Sequence, residues 1–264
     1  MTNGNAEEQQ LSVTVVGGPT VVIDLGGLRF VTDPTFDAAD SSYSMGPVEL
    51  RKLEAPALTP DELGPVAAVL LSHDQHPDNL DGAGRAFLKT VPLVLTTEQS
   101  AERVGGTGLA PWAEHVLERP GGGQVVVTAV PAQHGPAGTE QMLGAVTGFF
   151  LSGEGLPTVY VSGDNVSLDP VRELAQRVDH DGIDLAVLHV GAAQLAPFGP
   201  TLLSMTAEQG AEAAELLGAR RVLAVHTEGW AHFTEGADAV AESFTKAGSI
   251  RRLVVGDEGA RLAV

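Results

Sequence analysis

The stretch 66-VAAVLLSHDQHPDNLD-81 decides the reading of this chain. Its first six residues are continuously apolar, as in a strand buried on both faces. The loop that follows crowds His73, His76, Asp74, Asp78 and Asp81 into a few residues. Imidazole and carboxylate groups just beyond a strand end are the residue types that hold a divalent ion.

Upstream, 11-LSVTVVGGPTVVIDLGGLRFVTDP-34 reads as short β-branched strands broken by Gly-Gly turns, hence an antiparallel meander. Residues 35–60, rich in Ser, Pro and small side chains, read as loop. Downstream, 79–88 suits a helix, 91-VPLVLT-96 a strand and 98–103 a short helix. The triple glycine at 121–123 reads as a flexible connection.

Strands are then expected at 124-QVVVTAV-130, 146-VTGFFLSG-153, 157-PTVYVSG-163, 183-IDLAVLHV-190, 221-RVLAVH-226 and 252-RLVVG-256. Helices are expected at 169–178, at 206–218 with Thr206 as its cap and Gly218 as its stop, and at 235–248. A strand-rich half followed by strand–helix units, twice over, predicts two packed sheets with helices outside. No low-complexity linker interrupts 1–264, so one domain is expected.

Three more polar groups fall where a strand stops: His134 in 130-VPAQHGP-136, Asp164 in 160-YVSGDN-165 and His226 in 221-RVLAVHTEGW-230. Loops at strand ends let side chains from distant segments converge. Singly, each has an ordinary reading, as a hydrogen-bonded histidine or a turn aspartate. Their order along the chain carries the weight.

That order resembles the metallo-β-lactamase superfamily, whose signature is H-x-H-x-D-H followed by a distant His, a bridging Asp and a final His. Here the parts are 73-HDQHPDN-79, His134, Asp164 and His226, flanked by 30-FVTDP-34 and Asp81. The resemblance implies a four-layer αββα sandwich of the metallo-β-lactamase type, in the branch of the ascorbate-phosphate lactonase-like cytoplasmic hydrolases.

The loop departs from the family pattern. Aligned from its right end, Asn79 stands where the last His belongs, and the first ligand is Asp74 at regular spacing or His73 with a one-residue bulge. Aligned from the left, Gln75 takes the second His position. The bulged right-hand alignment keeps two imidazoles in use, and Pro77, with its fixed φ, suits a bulge. The resemblance then implies one metal on His73, His76 and His134. A second falls to Asp78, Asn79 and His226, with Asp164 between the two. Zinc is the expected ion. An Asn oxygen is a harder, weaker donor than imidazole, so the second site is expected to be loose, empty, or filled by Mn or Fe.

A divalent ion activates water at neutral pH, with Asp78 expected to orient that water and take its proton. The resulting expectation is metal-dependent hydrolysis of a small-molecule lactone, amide or phosphoester. The rival readings are a weakened or metal-free accessory protein and an iron-dependent redox member. His189, Trp230 and His232 are candidates for substrate contact at the rim, against plainer readings as a core histidine and a helix-entry residue. His115 and His180 read as solvated. No G-x-S-x-G elbow or phosphate-binding glycine loop is present.

Composition sets the outer limits. With 34 acidic and 15 basic residues the net charge is −19, which disfavours nucleic acid and anionic membranes as partners. There is no cysteine, so thiolate ligands and disulfides are excluded. The opening MTNGNAEEQQ has no signal-type character and no run reaches the roughly 18 apolar residues of a membrane span, so a cytoplasmic protein is expected.

Overall fold

The computed structural model describes residues 11–178 and 182–264; the N-terminal stretch and His180 lie outside the described residues. Strands β1 (Leu11–Gly17), β2 (Thr20–Leu25) and β3 (Leu28–Thr32) form the antiparallel meander. Residues 35–60 depart from the loop expectation. They hold a separate two-stranded hairpin, β4 (Ser42–Met45) and β5 (Val48–Arg51), that stands outside both main sheets.

The chain then returns to β3 with parallel strands β6 (Ala68–Leu70), β7 (Val94–Thr97) and β8 (Thr107–Leu109). Short helices α1 (Gly82–Phe87) and α2 (Glu98–Val104) make the crossovers. Asp81 caps α1 by accepting from Gly84 N at 2.8 Å, which is why this helix starts later than position 79.

The second sheet runs antiparallel through β9 (Glu114–Glu118), β10 (Gln124–Pro131), β11 (Thr147–Ser152) and β12 (Val159–Val161), then parallel through β13 (Leu185–His189) and β14 (Arg221–Val225). Between these lie α3 (Glu140–Leu143), α4 (Leu168–Arg177), α5 (Ala207–Leu216) and, after β14, α6 (Ala237–Lys246). Thr206 caps α5 with a reciprocal Gln209 contact. The run 252–256 does not form the expected strand. A 3-10 turn over Ile250–Arg252 leaves one bridge, Leu253 to Val222, and β15 (Leu262–Ala263) instead closes the edge of the first sheet beside β1.

Alternation along the strands explains the layering. Val21, Ile23 and Leu25 of β2 face Val125, Val127 and Ala129 of β10 across one buried core. Val22 and Val31 on the opposite face of the first sheet pack on Phe87 and Leu88 of the α1 end. Ala186 and Leu188 of β13 pack on α5 and α6. The result is the expected four-layer αββα sandwich. Among the described residues no helix is long and apolar enough to cross a membrane.

This topology positions the site. Strands β3 and β6 are parallel, as are β12, β13 and β14, and two reversals make β10 point the same way as β12. Their carboxyl ends therefore open on one rim, where Asp33, His73, His134, Asp164 and His226 each fall within three residues of a strand's end.

Candidate metal centre

Three elements build the first donor group. After β6 the backbone turns sharply, with Asn79 N and Leu80 N both donating to His76 O. His73 Nε2 then lies 2.9 Å from His76 Nδ1, and His134 Nε2 lies 3.2 Å from the same atom. His134 Nδ1 is 2.6 Å from Leu203 O. A carbonyl only accepts, so Nδ1 carries the proton and the Nε2 lone pair faces the group. Burial lowers the pKa of all three, and the neighbouring imidazoles lower His73 and His134 further, the latter to about 3. They are neutral imidazoles, the form that binds metal.

The second group is Asp78, Asp164 and His226, whose donor atoms, like those of the first group, lie within 4.8 Å of one another. His226 Nε2 is 3.3 Å from Asp78 Oδ2 and 3.4 Å from Asp164 Oδ1. His226 has a φ of +59°, and a Cβ on Gly191 would stand 1.8 Å from its carbonyl oxygen. Only glycine at 191 lets the backbones approach closely enough to hold that strained turn.

Electrostatics in this corner favour a cation. Burial opposes ionisation of Asp78, yet the neighbouring imidazoles of His232 and His226, which also hydrogen-bond it, hold its pKa well below the usual range. Burial, with the charges of Asp78 and Asp33, drives Asp164 well above it. Asp33 is pushed to about 7 by burial, against the stabilising hydrogen bond from Ser72 N at 2.6 Å. Three buried carboxyl groups this close cannot all ionise without a positive charge between them. A divalent ion fits that requirement and fits the neutral imidazoles.

The open alternatives in the loop separate in space. Asp74 turns away from the donors into an ion pair with Arg103, at 3.0 Å from Nε, and so is not brought to the first group. Gln75 packs against Gly144. Asn79 stays close, but its Nδ2 donates to Asp164 Oδ1 at 3.3 Å and to Asp33 Oδ2 at 3.4 Å.

The rim candidates divide as well. His189 is fully buried behind His226, its ring 5.4 Å away, with Nδ1 on Ser162 Oγ; it does not reach the pocket. Trp230 is buried under the β4–β5 hairpin beside Tyr43 rather than facing the cavity. His232 does line the cavity and lies 2.8 Å from Asp78 Oδ2. His115 sits half-buried on β9.

A cavity of about 310 Å³ opens directly over both groups, lined by His76, Asp78, His134, Asp164 and His232 at its floor. Its walls are Val48 and Leu50 of the hairpin, Leu143, and Leu195, Phe198 and Leu203 of the loop after β13. These residues carry no sequence signal of their own, since apolar residues in loops read as scattered surface. Asp33 had one, the Asp-Pro step ending a strand, but its contact with Ser72 depends on the sheet pairing.

Paired donor groups at one rim of an αββα sandwich are the construction of a metal-dependent hydrolase of the metallo-β-lactamase class. Residues 28–227 match the family described as Beta-lactamase superfamily domain, and the chain belongs to that family. It is similar to N-acyl-phosphatidylethanolamine-hydrolyzing phospholipase D 1 of Caenorhabditis elegans, 28% identical over 141 residues. That match covers 48% of this chain but only 38% of the relative's length. A possible metal-dependent hydrolase from Veillonella parvula has a similar structure, with a TM-score of 0.79 at 18% identity over 97% of this chain and 100% of that one. An isothiocyanate hydrolase from Delia radicum gut bacteria gives a TM-score of 0.79 at 21% identity, over 96% and 99%.

Proposed function

We propose that this chain hydrolyses a small molecule whose body is uncharged and apolar, using metal held by His73, His76 and His134 and by Asp78, Asp164 and His226. The observation that carries the substrate class is the cavity: ten apolar side chains wall it, and among the described residues no Lys or Arg lines it. A pocket of about 310 Å³ is at the small end of ligand sites. An anionic group away from the metal floor would lose its hydration there with no cation to compensate.

When bound, a divalent ion supplies Lewis acidity toward water and toward a carbonyl-type oxygen. The chain's own groups do the rest. Asp78, ionised and at the cavity floor, orients the attacking water and takes its proton. The apolar walls exclude bulk water and hold the substrate body. Zinc suits the three-imidazole group best. Among the substrates in the relatives' names, an isothiocyanate is small and uncharged and agrees with this pocket. A phospholipid is large and carries a phosphate, and agrees less.

A panel of uncharged short lactones, amides and aryl isothiocyanates, assayed beside an anionic phosphodiester, tests the reading. We expect kcat/KM at least ~100-fold higher on the best uncharged member, because a desolvated unpaired charge is heavily penalised. Preference for the phosphodiester, or turnover that survives a strong chelator, would refute it.

Chelation has a second expected outcome. An ion present at 100 times its Kd adds about 2.7 kcal/mol to stability, so EDTA treatment should lower Tm by roughly 5–10 °C in a thermal melt. Re-added zinc should restore it; an unmoved Tm would mean that no ion was held.

A further inference from the structure

We propose that His232 ligates the second ion, supplying the imidazole that the loop lacks at Asn79, so that this site consists of Asp78, Asp164, His226 and His232. The proposal rests on the metal-dependent reading above. It removes the reason for expecting the second site to be loose.

The first observation concerns Asn79. Its Nδ2 is engaged by Asp33 and Asp164, so the side chain offers hydrogens, not lone pairs, toward the carboxylates. Asn79 therefore holds Asp164 in place through Nδ2, and its buried Oδ1, which has no partner among the described residues, is a weaker donor than an imidazole. The imidazole expected beside Asp78 is missing from the loop.

The second observation supplies it from 154 residues further along the chain. His232 Nε2 lies 2.8 Å from Asp78 Oδ2, and His226 Nε2 lies 3.3 Å from that same oxygen. Two imidazole nitrogens thus approach one carboxylate oxygen, His232 from outside the set of Asp78, Asp164 and His226, whose donor atoms all lie within 4.8 Å of one another. In the first group His73 and His134 Nε2 approach His76 Nδ1 at 2.9 and 3.2 Å. Donor atoms built to share an ion crowd together in this way.

Third, His232 is held in place without its nitrogens being spent elsewhere. Its carbonyl accepts from Gln194 N at 3.0 Å, and its ring packs 4.7 Å from Phe233. Its Nδ1 is buried without a hydrogen-bond partner among the described residues. Two imidazoles and two carboxylates make a mixed nitrogen–oxygen donor set that suits zinc as well as the harder ions.

Titration of the metal-free protein with Co2+ or Zn2+, read by calorimetry and by the visible absorption of bound Co2+, tests this without reference to activity. The wild-type chain should bind two ions. His232→Ala should retain the first and bind the second at least ~100-fold more weakly, while Asn79→Ala should keep both within ~10-fold. His232→Phe preserves the ring packing and should behave as His232→Ala does, which separates a lost ligand from a disturbed fold. Retention of both ions by His232→Phe within ~3-fold, or loss of the second ion in Asn79→Ala, overturns the proposal. Wild-type binding of a single ion also overturns it, leaving the hydrolase reading standing on the first group. A chain that binds none defeats both.

Discussion

Asp78→Ala is expected to lower kcat/KM at least ~1,000-fold, because a group that acts as proton acceptor and metal donor together is removed. The side chain is fully buried at the cavity floor and is held as an anion by His226 and His232. Among the described residues no other group duplicates it. Asp164 is driven toward the protonated form by burial and by its carboxylate neighbours, and Asp33 lies behind the donors with Oδ1 committed to Ser72 N. Asp78→Asn separates the charge from the shape. It keeps side-chain size and loses basicity, and should still cost ~100-fold or more. Both variants should keep most of their structure, since His226 is already neutral and tolerates the loss of its partner. Metal analysis completes the test: the ion on His73, His76 and His134 should remain. Full turnover in Asp78→Ala would remove this residue from the mechanism.

How much of this was legible before folding depended on range. The central strands were readable because burial on two faces leaves an uninterrupted apolar run, as in 66–71 and 183–190. Positions such as His134, Asp164 and His226 followed from those strands, since a residue just past a strand end is placed by the sheet. The β4–β5 hairpin was not readable. Its burial alternates with exposed positions in a small separate sheet, and Ser, Met and Pro in such a ribbon look like loop. His73 was preferred over Asp74 and Gln75 only because the bulged alignment keeps two imidazoles in use; the contact that draws Asp74 away was out of reach. Asp74 leaves the donors because Arg103, 29 residues on, offers an ion pair. The approach of His232 to Asp78 spans most of the chain and depends on the path of a loop.

Lys52→Met should cost about 3 kcal/mol, at the lower end of what breaking a buried ion pair costs, and lower Tm by roughly 6–12 °C. Lys52 Nζ donates to Asp81 Oδ2 at 3.1 Å and to Thr35 O at 3.0 Å, with both side chains almost wholly removed from water. Desolvation lowers the Lys52 pKa, opposed by the Asp81 charge. Asp81 keeps two donors when Lys52 is lost, Asp37 N at 2.7 Å and Gly84 N at 2.8 Å, which is why the lower end applies. Activity should fall with stability, through KM first. Lys52 joins the end of β5, whose Val48 and Leu50 roof the cavity, to the residue that caps α1 just past the metal-binding loop. Its backbone also bridges Trp230, two residues before His232. One buried ammonium thus ties the substrate wall, the donor loop and the late histidine to one another. Lys52→Arg, which keeps the charge in a bulkier fork that the site has no room for, should recover only part of the loss. Thermal melts and KM measured on the three proteins check this. An unchanged KM in Lys52→Met would mean that the hairpin holds its place over the site without the ion pair.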